Sequence, residues 1–421
     1  MEKTSKILKI IVITFIIIFL NIQYIYADDV DEEIVEVNQE FTENCINEVA
    51  KNISGEPTIN SRKAIVYDRK SKRILYGKNE KVKCAMASTT KIMTATVVLE
   101  NAKLSDEVTI SAKAGGTGGS RLGLKKGDKI TLNDLLYGLM LRSGNDAAVA
   151  IAEHVGGSVK GFADMMNKKA QELGLNDTNF VTPHGLDNSK HYTTAFELAK
   201  LTDYALQNEK FAQIVGTKQT SITINGVPRT IANTNELLGV LNGVVGVKTG
   251  FTNGAGRCLV TETKRNDKDI ITVVLGADTK KDRTKDSIKL IEYIFSNFKN
   301  VNVKEKVLEE FEKWNAINSK RIVVIKGTES NVKLKLNKLE NEVIPMKTEQ
   351  ESNIKITINT ITQIEAPIQK GQKIGTLSIK MDDEVIENVD IVCKEKIEKK
   401  NWMDYLKQNL QVIFKIHILN L

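Results

Sequence analysis

Three short motifs contain the residue types needed for acyl transfer through a serine ester. In chain order they are Ser88-Thr89-Thr90-Lys91, Ser143-Gly144-Asn145 and Lys248-Thr249-Gly250. A serine three residues before a lysine on a helix places both side chains on one face, one turn apart. The amine can then accept the serine proton, which matters because a serine hydroxyl at neutral pH is a weak nucleophile that needs a nearby base. The other motifs add hydroxyls, an amide and a cation.

The first two motifs suggest how the proton would move. We expect Ser88 to be the nucleophile that forms the acyl ester and Lys91 to be its proton acceptor. Lys91 can accept a proton only as a neutral amine, a form that burial and the nearby charge of Lys248 would favour. Ser143 would relay a proton towards the leaving amine, and Asn145 would hold the lysine and the substrate amide in register.

The third motif suggests how the substrate would be held. Lys248 and Thr249 would bind an anionic group, most simply a terminal carboxylate, and Gly250 leaves room for a ligand beside the strand. The developing oxyanion would be stabilised by two backbone N–H groups, those of Ser88 and Phe251. The sequence therefore predicts a site for an acylated, anionic substrate.

The order of the motifs selects Ser88 among several candidates. Ser-x-x-Lys recurs at Ser296/Lys299, Ser330/Lys333 and Ser352/Lys355, where a helix cap or a solvated surface explains it. Ser-x-Asn and Lys-Thr-Gly each occur once, and only Ser88 precedes both.

Composition excludes several other classes of function. The chain has 421 residues, a net charge of +7 and 5% aromatic residues, and its lysines are scattered, so we expect no nucleic-acid partner. The four cysteines are too few and too dispersed for a disulfide framework or a zinc site, and we expect no metal and no cofactor. They are Cys45, Cys84, Cys258 and Cys393. Whether Cys84 and Cys258, each near a catalytic motif, pair or remain buried thiols stays open. Gly-x-Ser-x-Gly, His-Glu-x-x-His and phosphate-loop motifs do not occur in the sequence.

Hydrophobic patterns predict an α+β catalytic domain. Strands are expected at 64–69 and 73–78, followed by a helix that carries Ser88 and Lys91. Further helices are expected at 132–141, 146–155, 161–173 and 194–207. Strand patterns return at 221–224, 246–249, 257–264 and 270–277 before a last helix at 282–298. Strands at both ends with helices between them fit one antiparallel sheet built from both ends of the domain.

The flanking segments predict export and membrane contact. Residues 1–27 are typical of a signal peptide, with an uncleaved anchor as the alternative, and 28–45 form an acidic linker. The catalytic domain would span 46–300, and alternating patterns predict a smaller all-β domain at 301–396, with a hairpin turn at Asp382-Asp383. In 397–421, Trp402, Leu406, Leu410, Ile413 and Phe414 recur at helical spacing among lysines. This indicates an amphipathic helix in a membrane interface, or else a terminal helix packed on the β domain.

Longer stretches around the motifs resemble one enzyme family. They include Ser120-Arg121-Leu122-Gly123-Leu124, His184-Gly185-Leu186-Asp187 and Val247-Lys248-Thr249-Gly250-Phe251-Thr252, and Ala366-Pro367-Ile368 in the β domain. The chain resembles the low-molecular-mass penicillin-binding proteins that are serine D-alanyl-D-alanine carboxypeptidases. The resemblance implies a β-lactamase-like catalytic fold at the outer face of the bacterial cytoplasmic membrane. It also implies that peptidoglycan stem peptides are substrates and that β-lactam antibiotics acylate Ser88.

Two alternatives are left open. A class A β-lactamase shares the three motifs but needs a glutamate to activate the deacylating water, and Glu172-Leu173-Gly174-Leu175-Asn176 matches the pattern of that residue. We expect Glu172 instead in the last turn of a surface helix that ends at Gly174. A catalytically silent penicillin-binding wall protein is the second alternative, which the intact motifs disfavour.

Overall fold

The structure is a computed structural model that describes residues 48–49, 55–382 and 384–419, the last nine as backbone only. The described chain divides into two compact units, one that ends at Asn297 and one that begins at Phe298. The expected signal peptide 1–27, the acidic linker 28–45, Cys45 and Asp383 lie outside the described residues. Each unit has its own hydrophobic core.

The first unit contains the sheet that the sequence predicts. Its strands are β1 Lys63–Asp68, β2 Ile74–Lys78, β3 Glu107–Thr109, β4 Lys129–Thr131, β5 Gln219–Ile224, β6 Val227–Ala232, β7 Val244–Thr252, β8 Gly256–Arg265 and β9 Lys268–Ala277. Five of them form an antiparallel sheet in the order β2-β1-β9-β8-β7, so β1 and β2 from the start of the unit join three strands from its end. A second sheet has the order β3-β4-β5-β6.

Helices fill the space between the two ends of this sheet. They are α1 Lys91–Asn101, α2 Ala112–Gly115, α3 Leu132–Leu141, α4 Asn145–Gly156, α5 Val159–Glu172, α6 Ala195–Ala205, α7 Glu209–Val215 and α8 Lys280–Asn297. Helix α1 is buried on all sides from Lys91 to Val98 and packs against α3, α4, α5 and α6. A helix without a polar face must lie in the core. The start of α1 is therefore fixed by its neighbours.

Hydroxyl side chains begin the longer helices where the sequence suggests. Thr131, Ser158 and Thr194 have extended backbone and accept a hydrogen bond from the N–H three residues on. Such caps satisfy N–H groups that have no partner within the helix. The bounds of α3, α5 and α6 therefore lie close to the predicted ones.

The second unit is a β domain preceded by a helix. Its elements are β10 Phe298–Asn302, α9 Lys304–Asn318, β11 Val323–Ile325, β12 Leu334–Leu336, β13 Val343–Lys347, β14 Ile354–Thr360, β15 Gln363–Glu365, β16 Lys373–Met381, β17 Glu384–Cys393 and α10 Trp402–Leu419. A four-stranded sheet has the order β12-β17-β16-β14, and β10 with β13 and β11 with β15 form two separate pairs. Helix α9, which buries Val307 and Phe311, was not predicted.

Helix α10 exposes apolar side chains. Trp402 is 74% exposed, and Met403, Leu406 and Leu410 are exposed as well. Among the described residues, no helix combines the length and apolar character that crossing a bilayer requires.

Candidate active site

Ser88 lies on a short turn rather than on the regular helix that the sequence predicts. Residues Ala87–Thr90 form a 3₁₀ turn, and α1 begins at Lys91. Ala87 has a φ of 48°, a left-handed conformation that costs energy for any residue with a Cβ. Thr90 Oγ1 donates to the Ala87 carbonyl at 2.7 Å and thereby closes the turn. Serine and lysine still share one face, because i and i+3 positions eclipse in a 3₁₀ turn.

The Lys91 amine is the centre of the site. Its side chain is completely buried, and Nζ lies 2.7 Å from Ser88 Oγ. Nζ donates to Asn145 Oδ1 at 2.8 Å and to the His184 carbonyl at 3.1 Å. The predicted proximity of Ser88, Lys91 and Asn145 is present. The His184 carbonyl is a further partner that the motifs did not reveal, because a backbone carbonyl has no residue-type signature.

Asn145 is held in place from the 118–124 segment. Its Nδ2 donates to the Gly118 carbonyl at 2.9 Å, so the side-chain oxygen must face Lys91. The neighbouring Asp146 carboxylate is buried and accepts hydrogen bonds of 2.8–2.9 Å from three backbone N–H groups of the same segment, those of Leu122, Gly123 and Leu124. The stretch that resembles the family is therefore the support of the second motif.

The 182–187 loop packs directly on the Ser88 turn. A Cβ on Gly185 would lie 1.9 Å from the Ala87 carbonyl oxygen and 2.5 Å from Thr90 Oγ1, so only glycine fits there. Gly185 also has a φ of +91°, which favours glycine independently. At the end of the loop, Asp187 accepts from Thr252 Oγ1 at 2.6 Å and from the Gly254 N–H at 2.8 Å. The loop thus connects the Ala87–Thr90 turn to the end of β7.

Two histidines of this region are neutral. Burial above all, with further contributions from Lys91 in its protonated form and from His191, lowers the pKa of His184 to about 3. Burial lowers the pKa of His191 to about 4, against an opposing effect of Asp187. The hydrogen bonds of both rings go to groups other than Ser88: His184 Nδ1 accepts from the Leu186 N–H at 3.2 Å, and the His191 ring contacts the Val181 N–H and the Thr90 hydroxyl.

Strand β7 brings the third motif against the Ser88 turn. A Cβ on Gly250 would lie 3.1 Å from the Ser88 backbone nitrogen, so glycine permits this close approach. Lys248 is buried, and its Nζ donates to the Thr249 carbonyl at 3.0 Å. The Thr249 hydroxyl lies 2.8 Å from that of Thr234. Phe251 follows at the edge strand of the described sheet, where the guanidinium of the buried Arg257 lies 3.8 Å from its ring centre.

Ser143 is the remaining residue of the second motif. Ser143 is buried on the turn between α3 and α4 with a φ of 59°, directly before the Gly144-Asn145 pair. Its role as a proton relay stays a prediction.

Cys84, Cys258 and Cys393 are free thiols, which answers the question left open by the sequence. Burial raises the pKa of Cys258 to about 12 and raises that of Cys84, so both thiols are unreactive at neutral pH.

Glu172 has no place in this site. It occupies the last turn of α5, its side chain is exposed, and Lys169 Nζ lies 2.6 Å from its carboxylate. Gly174 follows with a φ of 64°. The expected surface-helix position is confirmed. The described residues also contain no group of three or more His, Cys, Asp or Glu side chains that could hold a metal ion.

Comparison with known proteins agrees with this geometry. The family model described as D-alanyl-D-alanine carboxypeptidase, peptidase S11, matches residues 50–279, and that of the penicillin-binding protein 5 C-terminal domain matches 311–399. The D-alanyl-D-alanine carboxypeptidase DacF of Bacillus subtilis is 34% identical over 356 residues, which cover 83% of this chain and 89% of that protein. DacA of Escherichia coli is 32% identical over 372 residues, covering 84% and 89%.

Solved structures show the same relationship. Penicillin-binding protein 5 from Haemophilus influenzae superposes with a TM-score of 0.68 at 29% identity, covering 82% of this chain and 100% of that one. The Streptomyces K15 DD-transpeptidase gives 0.56 at 36% identity, covering 58% and 100%. These likenesses confirm both the family and the α+β fold with a C-terminal β domain that the sequence predicts. The chain belongs to the peptidase S11 family of serine D-alanyl-D-alanine carboxypeptidases.

Proposed function

We propose that this protein removes the terminal D-alanine from peptidoglycan stem peptides through an acyl ester on Ser88. The observation that carries the proposal is the set of three contacts at Lys91 Nζ, to Ser88 Oγ, Asn145 Oδ1 and the His184 carbonyl. A neutral amine has two N–H groups and one lone pair. The two carbonyl-type oxygens accept the two N–H groups, and the lone pair then faces the Ser88 hydroxyl. Complete burial favours this neutral form.

The acylation step follows from that arrangement. Ser88 Oγ attacks the carbonyl carbon between the two D-alanines while its proton passes to Lys91 Nζ. The carbonyl oxygen gains negative charge, which the N–H groups of Ser88 and Phe251 would stabilise. When the C–N bond breaks, the leaving amine takes a proton by way of Lys91 and Ser143. The products of this step are the Ser88 ester and free D-alanine.

Substrate binding and hydrolysis use the remaining residues. Lys248 and Thr249 would hold the terminal carboxylate, and Gly250 gives the peptide room beside β7. A water molecule then attacks the ester carbonyl, and Ser88 regains its proton as the trimmed peptide leaves. A β-lactam would acylate the same oxygen and be hydrolysed slowly, because Glu172 is bound to Lys169 at the surface.

Release of D-alanine tests the proposal. The substrate is diacetyl-lysyl-D-alanyl-D-alanine, and free D-alanine is measured with a D-amino-acid oxidase assay. Wild-type protein should release it, whereas Ser88→Ala and Lys91→Ala should not. Folded Lys91→Ala protein that is acylated by penicillin at the normal rate would refute the role of Lys91. No release by the wild type would refute the function.

Transpeptidation is a second candidate reaction. The relative with 36% identity in the catalytic unit is a DD-transpeptidase, and both reactions share the acyl-enzyme. They differ in whether water or an amine attacks the Ser88 ester. Adding glycylglycine as an acceptor to the same assay distinguishes them: a carboxypeptidase keeps releasing unmodified trimmed peptide, and a transpeptidase joins the acceptor to it.

We further propose that the protein acts outside the cytoplasm, at the outer face of the bacterial cytoplasmic membrane. Residues 1–27 would direct export, 46–300 would be catalytic, 301–396 would support them, and 397–421 would lie in the membrane interface. The exposed Trp402, Leu406 and Leu410, with Lys399 and Lys400 just before them, support an interfacial helix. Flotation with vesicles containing anionic lipid tests this: the full chain should float, and a chain ending at residue 396 should not.

A further inference from the structure

His191 makes two directed contacts that fix its tautomer. The Val181 N–H donates to His191 Nδ1 at 2.9 Å, and the Thr182 N–H points to the same atom from 3.5 Å. Nδ1 is therefore an acceptor without a proton, and the single ring proton is on Nε2. The ring is buried and lies edge-on to Phe180, with 5.7 Å between the ring centres. The imidazole is thus held both by packing and by hydrogen bonds.

The proton on Nε2 points at the turn that carries the nucleophile. Nε2 lies 2.8 Å from Thr90 Oγ1, so His191 donates to this hydroxyl. The Thr90 hydroxyl donates its own proton to the Ala87 carbonyl at 2.7 Å. Three hydrogen bonds therefore run from Val181 through His191 and Thr90 to the residue that precedes Ser88. Each group in this chain has one orientation only, because its neighbour fixes whether it donates or accepts.

Ala87 is the place where such a restraint matters most. Its φ of 48° is unfavourable for an alanine, so the surrounding contacts must hold it there. If the turn relaxed, the Ser88 hydroxyl would move relative to Lys91 Nζ, 2.7 Å away, and relative to the strand at Gly250. Reaction rates depend steeply on such placement.

We propose that His191 is a positioning residue for acylation, acting through the Thr90 hydroxyl to hold the Ala87–Thr90 turn in its reactive geometry. The inference rests on the proposed function, in which Ser88 is the acylated residue. His191 does not touch the substrate or Ser88 in this account. It sets where Ser88 stands while its Nδ1 side also holds the start of the loop that brings the His184 carbonyl to Lys91.

The test uses variants that remove one arm of the chain at a time. Thr90→Val removes the hydroxyl at equal size, and Thr90→Ser retains it. In His191→Asn the side-chain oxygen can still accept from Val181, but the amide is too short to reach Thr90. In His191→Gln the amide nitrogen can replace Nε2 and donate to Thr90. The matched control is Thr96→Val, on α1, because Thr96 is buried like Thr90 and its hydroxyl also donates to a backbone carbonyl, that of Ile92, at 2.8 Å.

The measurements are the rate constant of acylation by a fluorescent penicillin at saturation, the half-saturating concentration and the unfolding temperature. We expect Thr90→Val and His191→Asn each to lower the rate constant about tenfold, as for a displacement of a fraction of an ångström, with little change in half-saturation. The double variant should be no slower than either single one, since both break the same chain. Thr90→Ser, His191→Gln and Thr96→Val should remain within about threefold of wild type.

Acylation at the wild-type rate by folded Thr90→Val or His191→Asn would overturn the inference. A double variant whose loss in acylation rate equals the product of the two single losses would also overturn it, because independent effects combine in that way. Thr90→Ser, His191→Asn and His191→Gln retain a polar group and give the same comparison if Thr90→Val does not fold. Wild-type protein that takes up no penicillin would instead refute the proposed function.

Discussion

Replacing Gly185 by alanine should displace the Ala87–Thr90 turn without altering the Ser88 or Lys91 side chain. A Cβ at this position would lie 1.9 Å from the Ala87 carbonyl oxygen and 2.5 Å from Thr90 Oγ1. To reach even 3.0 Å from the carbonyl oxygen, the loop and the turn must move apart by about 1.1 Å. The Ser88 hydroxyl is one residue from that carbonyl and lies 2.7 Å from Lys91 Nζ.

The expected size of the effect follows from these distances. A misplacement of about 1 Å can lower the rate of an enzymatic reaction about 100-fold, and we expect that loss in the rate constant of penicillin acylation. The φ of +91° adds a cost of about 1–2 kcal/mol in folding free energy for any residue with a Cβ. The loss of rate should therefore exceed what partial unfolding explains.

The assay compares Gly185→Ala with Gly226→Ala in acylation kinetics and urea unfolding. Gly226 has a φ of +76°, and a Cβ there would have no other atom within 4 Å, so alanine meets the backbone strain alone. Gly226→Ala should lose about 1–2 kcal/mol of folding free energy and keep acylation. Gly185→Ala should lose at least as much stability, because of the added clash, and should also lose acylation. Folded Gly185→Ala that is acylated within about threefold of the wild-type rate would refute the reasoning, because a shift of about 1 Å should cost far more.

Three further predictions test other parts of the account. Asp187→Ala leaves the Thr252 hydroxyl and the Gly254 N–H without their carboxylate partner and should lower the unfolding free energy by about 1.5 kcal/mol, measured in urea; no change would show that these two hydrogen bonds are not stabilising. Glu172→Gln should leave the lifetime of the penicilloyl enzyme within about twofold, because Glu172 is bound to Lys169 at the surface; a lifetime about tenfold longer would restore the β-lactamase interpretation. The pKa of His191 falls on folding from 6.5 to about 4, so its neutral form contributes stability above pH 6.5 that is lost as the pH falls; at pH 5 the loss is about 2 kcal/mol. Between pH 7 and pH 5, the unfolding free energy of His191→Asn should therefore fall by about 2 kcal/mol less than that of the wild type. An equal fall in both proteins would contradict the lowered pKa of His191.

The grouping of the three motif side chains could be predicted from sequence because it depends on side-chain type and spacing. Ser88, Lys91 and Asn145 meet as expected, and the sheet joins both ends of the first unit. The same reasoning could not find the His184 carbonyl, since any residue can offer one. It also could not tell that Ser88 lies on a 3₁₀ turn, because serine and lysine share a face in either kind of helix.

Helix α9 shows a different kind of miss. Val307, Phe311 and Trp314 recur at helical spacing, so the signal was present. The alternating patterns that follow led to a purely β interpretation of the segment. The short elements α7, β3, β4 and β6 were missed because each contains few residues and depends on packing against its neighbours.

The position of the acyl group decides whether Ser88 is the residue that forms the ester. The full-length protein is incubated with benzylpenicillin, quenched with acid and digested, and the modified peptide is sequenced by mass spectrometry. We expect one penicilloyl group per chain, attached at Ser88 and absent from Ser88→Ala. A penicilloyl group on any other residue, or the same modification in Ser88→Ala, would contradict it.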